Sequence, residues 1–112
     1  MTLSKPIPKA LLPHTAQLLT PKTTGIFTDG DFDEVTLHNI RFEKDEKTRQ
    51  IKSGEARVKA AKIYFDCVNS TPKNMQFGTT QLIEFCGKKY KIESVKTIMA
   101  GNKIHHYKIE AI

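Results

Sequence analysis

Residues 81–95, QLIEFCGKKYKIESV, decide the fold, because they contain the clearest β-hairpin pattern in the chain. Apolar and polar residues alternate on both sides of the short segment Cys86-Gly87-Lys88. Alternation with a period of two predicts strands, and a glycine between two such runs predicts the turn that joins them. The residues of this hairpin that we expect to face the interior are Ile83, Phe85, Tyr90 and Ile92.

Three further segments are rich in the β-branched and aromatic residues that favour strands, and a fourth, 15–19, alternates weakly. In VTLHNIRFE, residues 35–43, the first two apolar residues fall on one face and the last two on the other. A β-bulge near His38-Asn39 would return all four to the same side. The predicted strands are 15–19, 35–43, 60–68, 81–85, 89–95 and 104–111, with interior faces in 60–68 and 104–111 formed by Ile63, Phe65, Cys67, Tyr107, Ile109 and Ala111.

The number of predicted strands limits the architectures that the chain can adopt. The chain of 112 residues has the length of one domain. It shows no amphipathic helix of useful length, although a short helical turn within 44–60 stays open. Six short strands in so small a domain cannot leave wide open edges, so we expect the sheet to close. We predict an all-β domain over 1–112, a small six-stranded barrel (SH3-like or similar), with a tight two-sheet sandwich as the alternative.

Three segments lack strand patterning. Residues 1–10 contain Pro6 and Pro8, which predicts an extended N-terminal arm. Residues 20–34 are rich in Gly, Asp and Pro and form a connecting loop. Residues 44–58 follow neither helical nor strand periodicity, so they form a long charged loop between central strands. This loop is either a solvated surface segment or an arm that a partner orders, and the sequence leaves both interpretations open.

The positive charge is concentrated beside and within that loop. The net charge is +6, and residues 41–62 carry eight Lys or Arg against four acids. A basic surface favours nucleic acid or an acidic partner, whereas mixed signs are also typical of an ordinary solvated surface. The N-terminus lacks a charged region followed by an apolar one, so we expect no secretory signal and reduced thiols at Cys67 and Cys86. No apolar run approaches the roughly 18 residues of a membrane span.

Enzyme and cofactor motifs fail one by one. The sequence contains no P-loop, no G-x-G-x-x-G fingerprint, no G-x-S-x-G elbow and no H-E-x-x-H pair. The acidic run 29–34 fits the first three ligand positions of a calcium loop but lacks the required Gly and the final Glu, which favours a solvated turn. Tyrosines at 64, 90 and 107 fit either base stacking or packing, and packing is favoured because paired exposed aromatics are missing.

A zinc site is the remaining metal hypothesis. Cys67, Cys86, His105 and His106 are the candidate ligands, but they lack a Cys-x-x-Cys knuckle. Adjacent histidines on a strand leave opposite faces unless a bulge intervenes, so we expect one packed and one exposed His. We therefore predict no metal, no cofactor and no enzymatic activity.

Five runs together resemble the small minor capsid proteins of tailed bacteriophages. The likeness covers about residues 7–112 and consists of the order and spacing of these runs. The runs are IPKALLPHT (7–15), VTLHNIRFE (35–43), IYFDCVNS (63–70), FCGKKYKI (85–92) and HHYKIE (105–110).

The resemblance implies a head–tail connector protein of the head-completion or stopper type, in a siphovirus. Such proteins are small β-barrels that form a homo-oligomeric ring below the portal and its adaptor, close the DNA channel after packaging and present a docking surface for the tail. The implied partners are other copies of the chain, portal and adaptor proteins, a tail-completion or tail-terminator protein and the viral double-stranded DNA, with no membrane. The implied location is the head–tail interface of the virion, after synthesis in the host bacterial cytoplasm.

In that family a long loop between central strands points into the channel, and residues 44–58 match it in position. The implied DNA-facing residues are Lys44, Lys47, Arg49, Lys52 and Arg57, and the implied inter-subunit residues are Asp45, Glu46 and Glu55. Two alternatives remain: a nucleic-acid-binding β-barrel that acts as a monomer or dimer, and an adjacent tail-completion protein.

Overall fold

The computed structural model describes residues 5–22, 32–51 and 54–112, with 45–51 and 54–59 as backbone. Within these ranges it contains six strands and a one-turn 3-10 helix at Lys9–Leu11. The strands are β1 (His14–Pro21), β2 (Phe32–Ile51), β3 (Gly54–Asp66), β4 (Leu82–Phe85), β5 (Lys88–Ala100) and β6 (Lys103–Ala111). They form one antiparallel sheet in the order β1-β2-β3-β6-β5-β4, and pairing of β1 with β4 closes it into a ring. The prediction of an all-β fold with six strands is confirmed.

One apolar core fills the ring. Every predicted interior residue lies in it or against it except Cys67, which is half-buried. Tyr90 is buried and Tyr107 packs against the aromatic rings of Phe65 and Phe77, as the packing interpretation expects. Complete burial of one large aliphatic side chain stabilises a fold by roughly 1.5–3 kcal/mol. The fully buried side chains at the centre are Leu18, Leu37, Ile40, Ile63, Ile83, Ile92 and Ile109.

The predicted bulge in β2 is present. His14 pairs with Ile40, whereas Ala16 pairs with Leu37, so His38 and Asn39 together oppose a single residue of β1. Asn39 adopts φ 55°, a left-handed conformation that Asn tolerates better than most residues. The extra residue changes the alternation, which is why Leu37 and Ile40 are both completely buried.

The hairpin within residues 81–95 has a two-residue turn. Cys86 and Gly87 join β4 to β5 with φ values of 52° and 79°. Two successive positive φ values are characteristic of a type I′ turn, whose twist matches that of paired strands. Glycine at the second position carries no conformational penalty there.

The segment 44–58 differs from its predicted form. We expected an irregular loop, but β2 and β3 continue through it as a paired ladder from Lys44↔Ala61 to Ile51↔Gly54. The prediction failed because a two-stranded ladder satisfies its backbone groups whatever its side chains are, so no apolar alternation marks it. The residues 52 and 53 of its tip lie outside the described residues.

The N-terminal arm is in part fastened to the body. Residues 5–8 are extended, the 3-10 helix follows, and Leu12 is buried after it. The arm is therefore not loose over 5–10, while residues 1–4 lie outside the described ranges, as do 23–31, which include most of the predicted acidic turn. Among the described residues, no helix is long and apolar enough to cross a bilayer.

Candidate functional site

The most prominent feature is a two-stranded projection, which we call the ribbon and define as residues 45–51 and 54–60. The pairing of β3 with β6 ends at Ala61↔Ala111, and among residues 5–22, 32–51 and 54–112 no third strand flanks the seven pairs from Asp45↔Ala60 to Ile51↔Gly54. At about 3.4 Å per residue the ribbon is roughly 24 Å long. The longest axis of the molecule is 52 Å and its radius of gyration is 15.3 Å, above the roughly 13 Å of a compact chain of this length.

The ribbon carries most of the residues that the resemblance implicates. Lys44 is exposed at its root, opposite Ala61. Strand alternation places Lys47 and Arg49 on one face of the ribbon, whereas Arg57, opposite Thr48, belongs to the other face. The implicated cations are thus distributed over both faces. Of the implicated acids, Asp45 lies opposite Ala60, Glu46 opposite Lys59 and Glu55 opposite Gln50, while Lys52 lies outside the described residues.

An aromatic cluster inside the ring supports the root of the ribbon. The rings of Phe42 and Phe85 stack with centroids 4.0 Å apart, and Tyr90 meets Phe42 edge-on at 5.2 Å. His14 Nδ1 accepts a hydrogen bond of 3.0 Å from the backbone N–H of Phe42, just beyond the last β1–β2 pair. The side chain of His14 therefore extends the ladder where β1 begins.

On the outer face of the root, polar side chains hold β2 against β3 and the N-terminal arm. Arg41 lies 3.6 Å from the carboxylate of Glu43 and donates to the carbonyl of Leu11 at 3.5 Å. Burial raises the pKa of Tyr64, and the charge of Glu43 and its hydrogen bond with the phenol raise it further. Tyr64 is therefore a neutral hydroxyl at physiological pH, positioned by Glu43.

At the opposite end of β3, the carboxylate of Asp66 fastens the arm to the body. Asp66 is completely buried, and its Oδ1 accepts the backbone N–H of Ile7 at 3.0 Å. Its Oδ2 accepts the backbone N–H groups of Val68 at 3.0 Å and Asn69 at 2.8 Å. Asn69 Nδ2 then donates to the carbonyl of Ile7 at 2.7 Å, so both backbone groups of Ile7 are satisfied by side chains.

Ser70 ties this turn to the β2 bulge. Its hydroxyl accepts the backbone N–H of Asp66 at 2.9 Å and donates to the carbonyl of Asn39. His38 and Thr71 exchange two backbone hydrogen bonds at 2.9 and 3.1 Å beside it. Sequence reasoning missed this junction, although an Asp at a strand end followed by Asn and Ser is the pattern of a side-chain-capped turn.

The two adjacent histidines meet, contrary to the expectation that they leave opposite faces. Ile98 pairs with His106 and Met99 with Ile104, so a bulge at His105 changes the alternation. The Nδ1 atoms of the two rings are 2.7 Å apart, and His105 Nε2 lies 2.6 Å from the carbonyl of Lys5. A carbonyl only accepts, so His105 donates through Nε2 and accepts through Nδ1 from His106 in the neutral pair. Both rings are half-buried.

Acid should destabilise the fold through His106. Burial, and then the neighbouring His105, lower the pKa of His106, whereas Asp66 acts in the opposite direction. The unfolded chain then binds more protons than the folded one, so stability falls as the pH drops through the unfolded value near 6.5. We expect the free energy of unfolding, measured by urea titration from about pH 7.5 to 5.5, to fall less in His106→Asn than in the wild type. The exposed control His38→Gln should keep the wild-type slope, and an equal slope in all three proteins would contradict this assignment.

The two cysteines and one open pocket are the remaining candidates for a chemical site. Cys67 and Cys86 are free, and burial raises the pKa of Cys67, which disfavours the reactive thiolate. An open pocket of about 400 Å³ lies beside Cys67 and Lys73, between the turn after β3 and the start of β6. Within the described ranges, no group of three or more His, Cys, Asp or Glu residues could hold a metal ion.

Comparison with known proteins identifies the family. No curated protein matches the chain. The family model described as minor capsid protein matches residues 8–111, which include the ring of strands and the ribbon. The match covers nearly the whole chain. This chain belongs to the minor capsid protein family and is a structural component of a virion.

Proposed function

We propose that this minor capsid protein forms a homo-oligomeric ring in the head–tail connector, below the portal and adaptor, where it closes the DNA channel as a stopper. The main support for this proposal is the ribbon, a paired, charged projection of roughly 24 Å that leaves the body on one side. A domain that needed no partner would gain nothing from ordering so many residues outside its core. Repetition around a closed ring would bring the ribbons together at the axis.

The charges of the ribbon suit both contacts that such a ring requires. Lys44, Lys47, Arg49, Lys52 and Arg57 are the proposed contacts to DNA phosphates, and Asp45, Glu46 and Glu55 the proposed contacts to the next subunit. In its own ribbon Glu46 lies opposite Lys59 in the strand register. Each contact is weak alone, and repetition in the ring multiplies it.

The end of the body away from the ribbon tip supplies an apolar surface. Val68, Met99 and Ile104 are 60%, 53% and 40% exposed, and Met99 and Ile104 are paired neighbours beside the β5–β6 turn. Exposed apolar side chains that lie together are typical of protein contact sites. We assign this end to contacts with neighbouring virion proteins, namely the adaptor or a tail-completion or tail-terminator protein.

Electron microscopy of purified portal–adaptor complexes tests the proposal directly. Adding the protein should produce a further ring of density below the adaptor, with density from the ribbons at the axis. Complexes that show no added ring at saturating protein would overturn the connector assignment.

The apolar end gives a matched pair of variants for the same assay. Met99→Asp alone should leave the free energy of unfolding within about 1 kcal/mol, because this side chain is exposed. It should abolish the added ring, since a charge in a desolvated contact costs several kcal/mol. Lys89→Gln, at the β4–β5 turn, lowers the net charge by the same single unit and should still add a ring. Loss of the ring with both variants would assign the effect to charge alone.

A further inference from the structure

The outer face of the sheet carries a row of cationic residues at the root of the ribbon. Arg41 on β2 lies opposite Tyr64 on β3, Tyr64 opposite Lys108 on β6, and Lys108 opposite Lys96 on β5. Four neighbouring strands at about 4.8 Å spacing place the ends of the row roughly 14 Å apart. We call these four residues the root row.

Lys96 and Lys108 form an unfavourable pair in the isolated chain. Like charges directly opposite on adjacent strands destabilise a sheet. Lys96 is exposed, Lys108 is half-buried, and neither has an ion-pair partner among the described residues. An anion placed over the two ammonium groups would turn this repulsion into attraction.

In the neighbouring row of the same face, acidic and basic residues alternate. Glu43 lies opposite Lys62, and Lys62 lies opposite Glu110, so the signs alternate across three strands. That row pairs each of its charges with one of opposite sign and has an excess of one negative charge, whereas the root row contains no acidic residue. The contrast locates the anion-binding potential of this face at the root row.

Arg41, at the other end of the row, is held in place by two contacts that leave some of its N–H donors available. Its guanidinium contacts Glu43 at 3.6 Å and the Leu11 carbonyl at 3.5 Å, and both fix its position on the sheet. A guanidinium has five N–H donors, so it keeps donors for a phosphate. Between Arg41 and Lys108, Tyr64 presents a neutral ring whose hydroxyl is bound to Glu43.

We propose that the root row is a second contact to the DNA backbone, with Lys96 and Lys108 as the principal phosphate ligands and Arg41 as the third. This inference rests on the proposed function for the identity of the polyanion. The polyanion is duplex DNA rather than an acidic peptide because β2 and β3 run without interruption from the root row into the ribbon. Exposed Lys44 lies between the two surfaces, at the root of the ribbon. One ligand that follows the sheet would meet both surfaces, and duplex DNA has regularly spaced charges over that length.

The test measures binding of a fluorescent 20-base-pair duplex to the purified protein by anisotropy at several salt concentrations. Each phosphate contact contributes about 0.9 to the slope of log K against log salt. Lys96→Gln with Lys108→Gln should therefore reduce that slope by about 1.8 and remain folded. The control is Lys88→Gln with Lys89→Gln, an exposed pair at the start of β5, the strand that contains Lys96. It removes the same charge and should keep the wild-type slope.

Each contrary outcome is informative. Equal slopes for both variant pairs would overturn the root row as a specific site, whatever their common value. A polyglutamate peptide of equal charge that binds more tightly than the duplex, and loses binding only in Lys96→Gln with Lys108→Gln, would replace DNA by an acidic protein partner. The proposed function fails separately, because it requires ring density in the portal complexes and the Lys96→Gln, Lys108→Gln protein should still form that ring.

Discussion

Replacing residues 47–58 by Asn-Gly should abolish DNA retention while leaving the body folded. Glu46 and Lys59 form a ladder pair, so a two-residue type I′ turn can join them without changing the register. The pairing of β3 with β6 ends at Ala61↔Ala111, so the replaced segment lies outside the described six-stranded ring. We expect DNA-filled heads that are completed with this variant to release their DNA, measured as nuclease-sensitive DNA, at the level of heads that lack the protein.

A second variant separates steric closure from electrostatic contact. Lys47→Gln with Arg49→Gln keeps the ribbon but removes two cations that share one of its faces. If the ribbons close the channel as a physical barrier, this variant should retain most of the DNA that the shortened protein loses. Cooperative unfolding must persist in the shortened protein, and a protein that no longer unfolds cooperatively would show that the ribbon belongs to the core. Full DNA retention by the shortened, folded protein would overturn the assignment of the ribbon to channel closure.

Asp66→Ala should cost roughly 3 kcal/mol of folding stability, because three backbone N–H groups at the end of β3 would lose their acceptor. It should also expose the N-terminal arm to protease, since the only described acceptor for the N–H of Ile7 is this carboxylate. Urea titration measures the first effect, and the rate of cleavage by trypsin after Lys9, which precedes Ala10, measures the second.

Two further substitutions sharpen this prediction. Asp33→Ala is the matched control, because Asp33 is exposed and its ion pair with Lys22 is long, at 3.9 Å. This substitution should cost less than about 0.5 kcal/mol of folding stability. Asp66→Asn keeps the volume and one acceptor oxygen but turns an amide donor toward one of the N–H groups, so its cost should fall between the two. If Asp66→Ala were no more costly than Asp33→Ala, the carboxylate would not be what fastens the arm.

Strand positions were predictable wherever one face of a strand is buried. Alternation in 60–68 and 104–111, the turn at Cys86-Gly87 and the bulge at His38-Asn39 are all local signals, and the structure contains each of them. The family resemblance followed from the same runs, and the match to the minor capsid family covers them.

The ribbon and the histidine pair were less predictable. Beyond Ala61 toward the tip no apolar alternation marks the sequence, so the pairing of the two strands follows only from the neighbouring backbone. His105 and His106 meet because β6 is bulged against β5, and a bulge in one strand depends on the register of the other.

By itself the sequence determined that this chain is a closed all-strand domain with excess positive charge near its central strands, because hydrophobic periodicity and turn chemistry are local properties of the chain. Only the tertiary structure decided that the charged segment is a paired ribbon, that Asp66 holds an arm 59 residues away, and that Lys96 faces Lys108 across two strands. The ribbon has no hydrophobic period that would reveal its pairing, whereas the other two contacts join separate segments of the chain and depend on how the whole sheet closes.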